Sequence, residues 1–285
     1  GLAALGARRL LADQAATRVE ADLLRASDPT RRFSEADLVG LPEPAQRYLR
    51  HAIALGTPLA AVCRLSMVGT MTPTPGAPPV ALTATETLAP RSGFVWTAEA
   101  RMRGLPVRVR DHYHRGEGGV DVTALGVVPV PLGGHADDVA RSARGRLVGE
   151  AVWCPTALVP PGVTWEAADD GSARFTLVVD GEPISVSLRI GPDGALREVA
   201  LDRWGAPDGQ DPRVHPYGFR VDAEGTVDGV TIPTHVVGGW GYGTAAFDPS
   251  AAASFVVTSD EWAGSPRTEP AVPARLAHAP TSGSS

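Results

Sequence analysis

The sequence predicts a mainly β protein (α+β): a strongly curved antiparallel meander of about ten strands, a barrel or half-barrel, with N-terminal helices and one inserted helix as cover. Three observations carry this expectation. From residue 59 onward the hydrophobic period is two, which is the period of a half-buried strand. Asp170-Gly171, Asp180-Gly181, Asp193-Gly194 and Asp228-Gly229 favour tight reversals, so the later strands pair as hairpins. A flat meander of that size would leave two free edges, which curling or helical cover removes.

The elements follow in order. Residues 2 to 26 have the Ala, Leu, Arg and Glu content of a helix, with a thin apolar side of Leu10, Val19, Leu23 and Leu24. "FSEADL" offers Ser34 as a helix cap with Asp37 three residues later, and Gly40 and Pro42 cut it short. In "PEPAQRYLRHAIALG", Pro44 suits a first helical turn, Tyr48, Leu49, Ala52 and Ile53 recur at helical spacing, and Gly56 is a stop. These segments form an N-terminal helical unit, 1–56. The curved β domain then spans 57–263, with strand-like runs at "LAAVCRLSMVGTM", "VALTATETL", "GFVWTAEARM", "LPVRVRDHYHR", "ARFTLVV", "ISVSLRI", "LREVALDRW", "YGFRVDAEG", "IPTHVVGGW" and "ASFVVTSDEW". Its one helical interruption is "ADDVARSARGRLVGEAVW", 136–152, with Asp137 and Asp138 near the positive end of the helix dipole. The stretch 264–285, rich in Pro, Ala and Ser, reads as a disordered tail.

Composition narrows the function classes. A chain of 285 residues with 43% hydrophobic and 20% charged residues has an ordinary globular make-up. All 26 basic residues are arginine, a bias that looks like a GC-rich genome and gives single arginines no special weight. With a net charge of −6 and arginines scattered rather than striped, no nucleic-acid partner is expected. Cys63 and Cys154 are too far apart in sequence for a redox or zinc motif and read as buried hydrophobes. No run is long enough to span a membrane as a helix. "GLAALGARR", however, fits either the last turn of an anchor or the start of a helix, so the location is cytoplasmic or membrane-anchored at the envelope. GxSxG, P-loop, GxGxxG and HExxH motifs are absent, and no cofactor is expected.

The informative residues are charges that break the strand pattern. In "LPVRVRDHYH" the side carrying Leu105, Val107 and Val109 continues into Asp111 and Tyr113. In "VALTATETL" the apolar side contains Glu86, and in "LREVALDRW" Arg203 shares a side with Val199 and Leu201. A carboxylate on a core-facing side needs a partner, a changed protonation state or a wet cavity. One explanation is that Asp111 or Glu86 pairs with Arg203 across the sheet. The other is a polar spot in an apolar cavity. Glu150, near a helix end where acid opposes the dipole, suggests a partner, although Arg144 and Arg146 are read as off its face. His112 and His114 are spaced to reach one metal, but they lack a third ligand and share their side with Arg108 and Arg110, so that side reads as a solvated basic face with no metal. Trp96 reads as core by default. The glycines around Trp240 and Tyr242 mark a barrel corner first and a ligand-contacting edge second.

"LPEPAQRYLRHAI", "FVW", "RDHYHRGEGG", "LVGEAVWCPTALVP", "VTWEAADDGSARFTL" and "IPTHVVGGW" together resemble a bacterial family known as a domain of unknown function, over about residues 40 to 262. Arg47, Tyr48, Trp96, Asp111, Tyr113, Glu150, Pro155, Trp165 and Trp240 match its recurring pattern. Cys154 and Ala45 depart from it, where bulkier residues are expected. The resemblance implies an N-terminal apolar segment in family members, and hence possible membrane proximity. The curled sheet also resembles, at fold level, half-barrels that carry lipids or lipoproteins.

Two functional readings follow. The first is a binding module for an apolar or amphipathic small molecule in a β-lined cavity, contacted by Glu86, Trp96, Arg203, Trp240 and Tyr242. The alternative is a cofactor-free enzyme in the same cavity, with Asp111 or Glu150 as base and Tyr113 as donor.

Overall fold

The structure, a computed structural model, describes residues 2–25, 30–72, 76–125, 128–130, 134–209 and 211–262. The predicted tail at 264–285 lies outside them. Among the described residues, thirteen strands form one antiparallel sheet curled into a half-barrel. They are β1 (Cys63–Met71), β2 (Val80–Ala89), β3 (Gly93–Met102), β4 (Leu105–His114), β5 (Glu117–Ala124), β6 (Val128–Val130), β7 (Val163–Ala167), β8 (Ala173–Val179), β9 (Glu182–Ile190), β10 (Leu196–Gly205), β11 (Arg213–Val227), β12 (Val230–Trp240) and β13 (Ala253–Trp262). Three of them, β5, β6 and β7, lie outside the ten strand-like runs. Gly118, Gly119 and Pro129 dilute the alternation in the first two, and the third shows only Val163 and Trp165 on its buried side.

The path of the chain explains how one sheet holds so many strands. It starts in the middle at β1 and walks outward through consecutive hairpins to the edge at β6. The helix α3 (Ala136–Gly149) then crosses to the opposite edge at β7, and the remaining strands walk back until β13 pairs with β1. Two of the Asp-Gly reversals take positive φ at both residues, 49° and 83° at Asp180-Gly181 and 51° and 81° at Asp228-Gly229, which matches the twist of the strands they join. The inserted helix is shorter than the predicted 136–152. It tightens into a 3-10 turn at Glu150–Trp153, and Pro155 beyond it cannot continue a helical hydrogen-bond ladder.

That crossing fills the concave side. Leu147, Val148, Val152, Trp153 and Leu158 belong to one contiguous core with Leu65, Leu88, Phe94, Val199 and Val257 of the sheet. The Trp153 ring stacks on Phe219 with centroids 5.2 Å apart, and its Nε1 donates to the Pro233 carbonyl at 2.9 Å. The helix α2 (Glu43–Ala52) closes over β7, β8 and β12, burying Tyr48 and Leu49. The concavity expected to hold a ligand is therefore occupied by the protein's own side chains along α3 and the segment that follows it.

The other face of β2 and β3 carries α1 (Leu2–Arg25), where Leu23, Val62 and Ala89 form a small separate cluster. Asp13 of α1 pairs with Arg110 and, at 3.5 Å, with Arg108. The basic side of β4 is thus covered by a helix instead of being solvated as expected. Both cysteines are buried and free.

Close strand approach depends on Gly238, where an added Cβ would stand 2.2 Å from the Gly218 carbonyl oxygen and 2.3 Å from the Phe219 Cβ. Gly238→Ala must push β12 away from the strand that supports the Trp153 stack. A loss of about 2 kcal/mol in a urea unfolding titration is expected, and an unchanged midpoint would show that the strands part at no cost.

Candidate functional site

Glu86, Trp96 and Asp111 stand in one row across β2, β3 and β4, paired in register Glu86 to Trp96 and Trp96 to Asp111. Residues in such a row share a face of the sheet, and here it is the concave one. Arg146 descends onto the row from α3. Its Nη1 donates to Asp111 Oδ2 at 2.6 Å, its Nη2 lies 3.5 Å from Glu86 Oε1, and its Nε donates to Glu150 Oε1 at 2.8 Å. The guanidinium also sits over the rings of Phe94 and Trp96, at 4.8 and 5.0 Å from their centroids. One cation is thus held by three carboxyl groups and two aromatic faces.

The partner differs from the expected one. Arg203 does not pair with Asp111 or Glu86. Its Nε donates to the Ser142 carbonyl at 3.1 Å, and its guanidinium stacks on Tyr217 and Trp240 at 4.7 and 4.8 Å. Arg146 was set aside as lying off the face of Glu150. It stands four residues earlier, one helical turn away, which is the spacing at which helix side chains meet.

Charge balance sets the protonation of the row. Glu86 is only 2% exposed, and burial pushes its carboxyl well above the ordinary range. The neighbouring Glu150 and Asp111 push it the same way, and Arg146 offsets only part of this. Burial alone would lower the Arg146 pKa, but Glu150, Asp111 and Glu86 outweigh it and hold the group well above its usual value. With Glu86 neutral, the two remaining carboxyls face two guanidiniums, because Arg203 lies in the same field.

Tyr113, one position further along the inward side of β4, is committed elsewhere. Its hydroxyl donates to Asp180 Oδ2 at 2.6 Å, and burial together with that acceptor pushes its pKa up to about 12. Asp111, Tyr113 and Glu150 therefore come to one side of α3, but each is already engaged by protein.

An open space lies elsewhere along the same helix. β9 and β10 pair only from Ile190 and Leu196 to Ser187 and Ala200. Beyond that point the first half of β9 pairs with β8 alone, and Leu201 to Gly205 pair with β11 alone. A β-bulge between Leu196 and Glu198 precedes the parting, and bulges bend a strand and sharpen its twist. A cleft of about 580 Å³ opens where the strands diverge, with Arg141, Arg144 and Gly145 of α3 at its back. Ile184, Leu201, Trp204 and Tyr217 supply apolar wall, and Arg174, Ser185, Ser187, Glu182 and Asp202 supply polar lining. The Arg141 guanidinium lies 3.8 Å from the Trp204 ring centroid, and Trp204 Nε1 donates to Asp138 Oδ1 at 2.9 Å.

The predicted residues divide between these two places. Glu86, Trp96, Asp111 and Glu150 form the Arg146 cluster, and Tyr113 lies beside it. Tyr242 lines the cleft, and Arg203 and Trp240 pack directly behind Tyr217. Sequence reasoning missed Arg141, Arg144, Arg174, Ile184 and Leu201. The uniform use of arginine hid the first three, and the end point of a strand pairing leaves no mark in the sequence.

A family model described as a family of unknown function, DUF6544, matches residues 31–250. The chain belongs to this family. No curated protein matches this DUF6544 member. Among solved structures it is similar to an outer membrane lipoprotein-sorting protein domain from Vibrio parahaemolyticus, at 8% identity and a TM-score of 0.31, over 70% of this chain and 83% of that one. No helix among the described residues is long and apolar enough to cross a membrane.

The Arg146 cluster makes two opposite predictions. Arg146→Met leaves the buried Glu86 and the partly buried Asp111 and Glu150 without their cation, and a loss of about 3 kcal/mol in denaturant unfolding is expected. Glu86→Gln keeps the shape of the neutral acid, and should cost less than about 1 kcal/mol near pH 5. The folded pKa of Glu86 lies above its unfolded value of about 4.3, so the wild type loses stability as pH rises from there toward the folded pKa. The difference in melting temperature should accordingly shift in favour of Glu86→Gln between pH 5 and pH 8, on the order of a few degrees. A difference that stays flat with pH would mean that Glu86 is ionised in the folded protein.

Proposed function

We propose that the protein binds a small amphipathic molecule in the cleft where β9 parts from β10. The cleft itself carries the reading. At about 580 Å³ it falls within the size of small-molecule sites, and its wall joins Ile184, Leu201, Trp204 and Tyr217 to a polar rim. An apolar body has somewhere to lie, and a polar end has groups to meet. The space expected under the helices is filled, so the binding function moves from the centre of the half-barrel to its split.

The acid–base alternative needs Asp111, Tyr113 or Glu150 in contact with a bound molecule. None of the three lines the cleft. Asp111 and Glu150 are held by Arg146, and the Tyr113 hydroxyl is spent on Asp180. The geometry therefore favours binding over catalysis.

Filling the cleft tests the proposal. Ile184→Trp places a ring in the space while altering a half-buried residue near the start of β9. Octanoate binding followed by isothermal titration calorimetry should weaken at least about tenfold, with the melting temperature held within about 3 °C. Undiminished binding by a folded Ile184→Trp protein would place the ligand elsewhere.

A further inference from the structure

We infer that the molecule taken by the cleft is an organic anion, its carboxylate or phosphate group held by Arg141 and Arg144 of α3 at the back of the cleft, with Arg174 on the outer face of β8 at its mouth. This rests on the cleft being the binding site and adds the charge of its occupant.

The argument starts from pairing. Elsewhere among the described residues arginine is repeatedly matched to a carboxylate: Arg50 to Glu35, Arg197 to Asp193, Arg220 to Asp222, and Arg146 to its three acids. The three arginines lining the cleft are not. None of them forms an ion pair among the described residues, although Glu182 and Asp202 line the same space. Arg141 rests on the Trp204 ring, and Arg144 lies beside the Tyr113 hydroxyl. Among the described residues Arg203, behind Tyr217, is likewise bonded to Ser142 and to aromatic faces and to no carboxylate.

Arg141, Arg144 and Arg174 outnumber Glu182 and Asp202 around the cleft, and an excess of one charge is felt more strongly beside an apolar wall than in open water. The chain as a whole carries a net charge of −6, so this concentration runs against the average of its surface. An anion entering the cleft balances that excess. The guanidinium forks match the planar oxygens of a carboxylate or the oxygens of a phosphate. The site is also partly pre-organised, because Trp204 is tied to Asp138 and in turn supports Arg141. Less ordering is then needed when a ligand arrives. The apolar wall at Ile184, Leu201 and Tyr217 requires that the anion have a body, which separates it from a free inorganic ion.

Calorimetric titration of the full chain with four eight-carbon probes tests this: octanoate, octyl phosphate, octanol and octyltrimethylammonium. The anions are expected to bind at least about tenfold more tightly than octanol in 50 mM NaCl, with the gap narrowing in 500 mM NaCl as charges are screened. The relative affinities of octanoate and octyl phosphate identify which head group the arginines prefer. In the triple variant R141Q/R144Q/R174Q the gap should close while octanol affinity stays within about twofold. The single variant R174Q alters only an exposed strand residue, and is expected to lower anion affinity about threefold even if the triple variant does not fold. Octanol binding as tightly as octanoate, tightest binding by the trimethylammonium probe, an anion affinity unchanged in R174Q, or an anion preference that survives in a folded triple variant would overturn the inference and leave the binding site standing. Failure of all four probes to bind would remove the site and the inference together.

Discussion

The structure depends on a guanidinium drawn into a sheet. Arg146 reaches from a helix into a row of acid side chains on β2, β3 and β4, where burial makes a charge without partners costly. The arrangement is tolerable because the charges nearly cancel. Glu86 keeps its proton, Asp111 and Glu150 receive short hydrogen bonds from Arg146, and the rings of Phe94 and Trp96 take the open faces of the cation. Such clusters contribute little net stability compared with an apolar core of equal volume. Their strength lies in register. A helix displaced by one turn would leave buried charges without partners, so the cluster defines where α3 crosses the sheet.

That placement determines the rest of the concave side. Beyond the cluster the chain continues into the Glu150–Trp153 turn, which stacks Trp153 on Phe219 and fills the centre of the half-barrel. Toward its beginning the same helix meets the opposite half of the sheet, where Trp204 donates to Asp138 and Arg203 donates to Ser142. One helix is thus tied to strands on both sides of the β1 and β13 seam. The cleft lies on the second side, where β9 leaves β10 and the arginines of α3 are left facing an open space.

The inward face of β4 was legible because period-two alternation is a local property. Asp111 interrupts a run of apolar residues, and the structure does turn it toward the core. Glu86 was legible for the same reason. The choice of partner was not. Arg203 shares the parity of a buried face, but its strand lies beyond β3, β2, β1, β13, β12 and β11 in the sheet order. A residue on the crossing helix comes closer than any residue so far along the sheet. The i, i+4 relation of Arg146 to Glu150 stood in the sequence, and helical geometry alone was enough to read it.

What the sequence determined by itself is the local grammar: strands from their alternation, hairpins from Asp-Gly reversals, a helix between two sets of strands, and acids on faces that should be apolar. Each depends only on neighbours a few positions away, where backbone geometry dictates which side chains share a face. What the tertiary structure decided is everything that depends on where α3 lies and how far each ladder runs. The cation for the acids, the filled concavity, the split between β9 and β10 and the unpaired arginines around it all arise from contacts between distant segments. Those contacts are chosen by packing and charge balance over the whole fold, and no short stretch of sequence carries them.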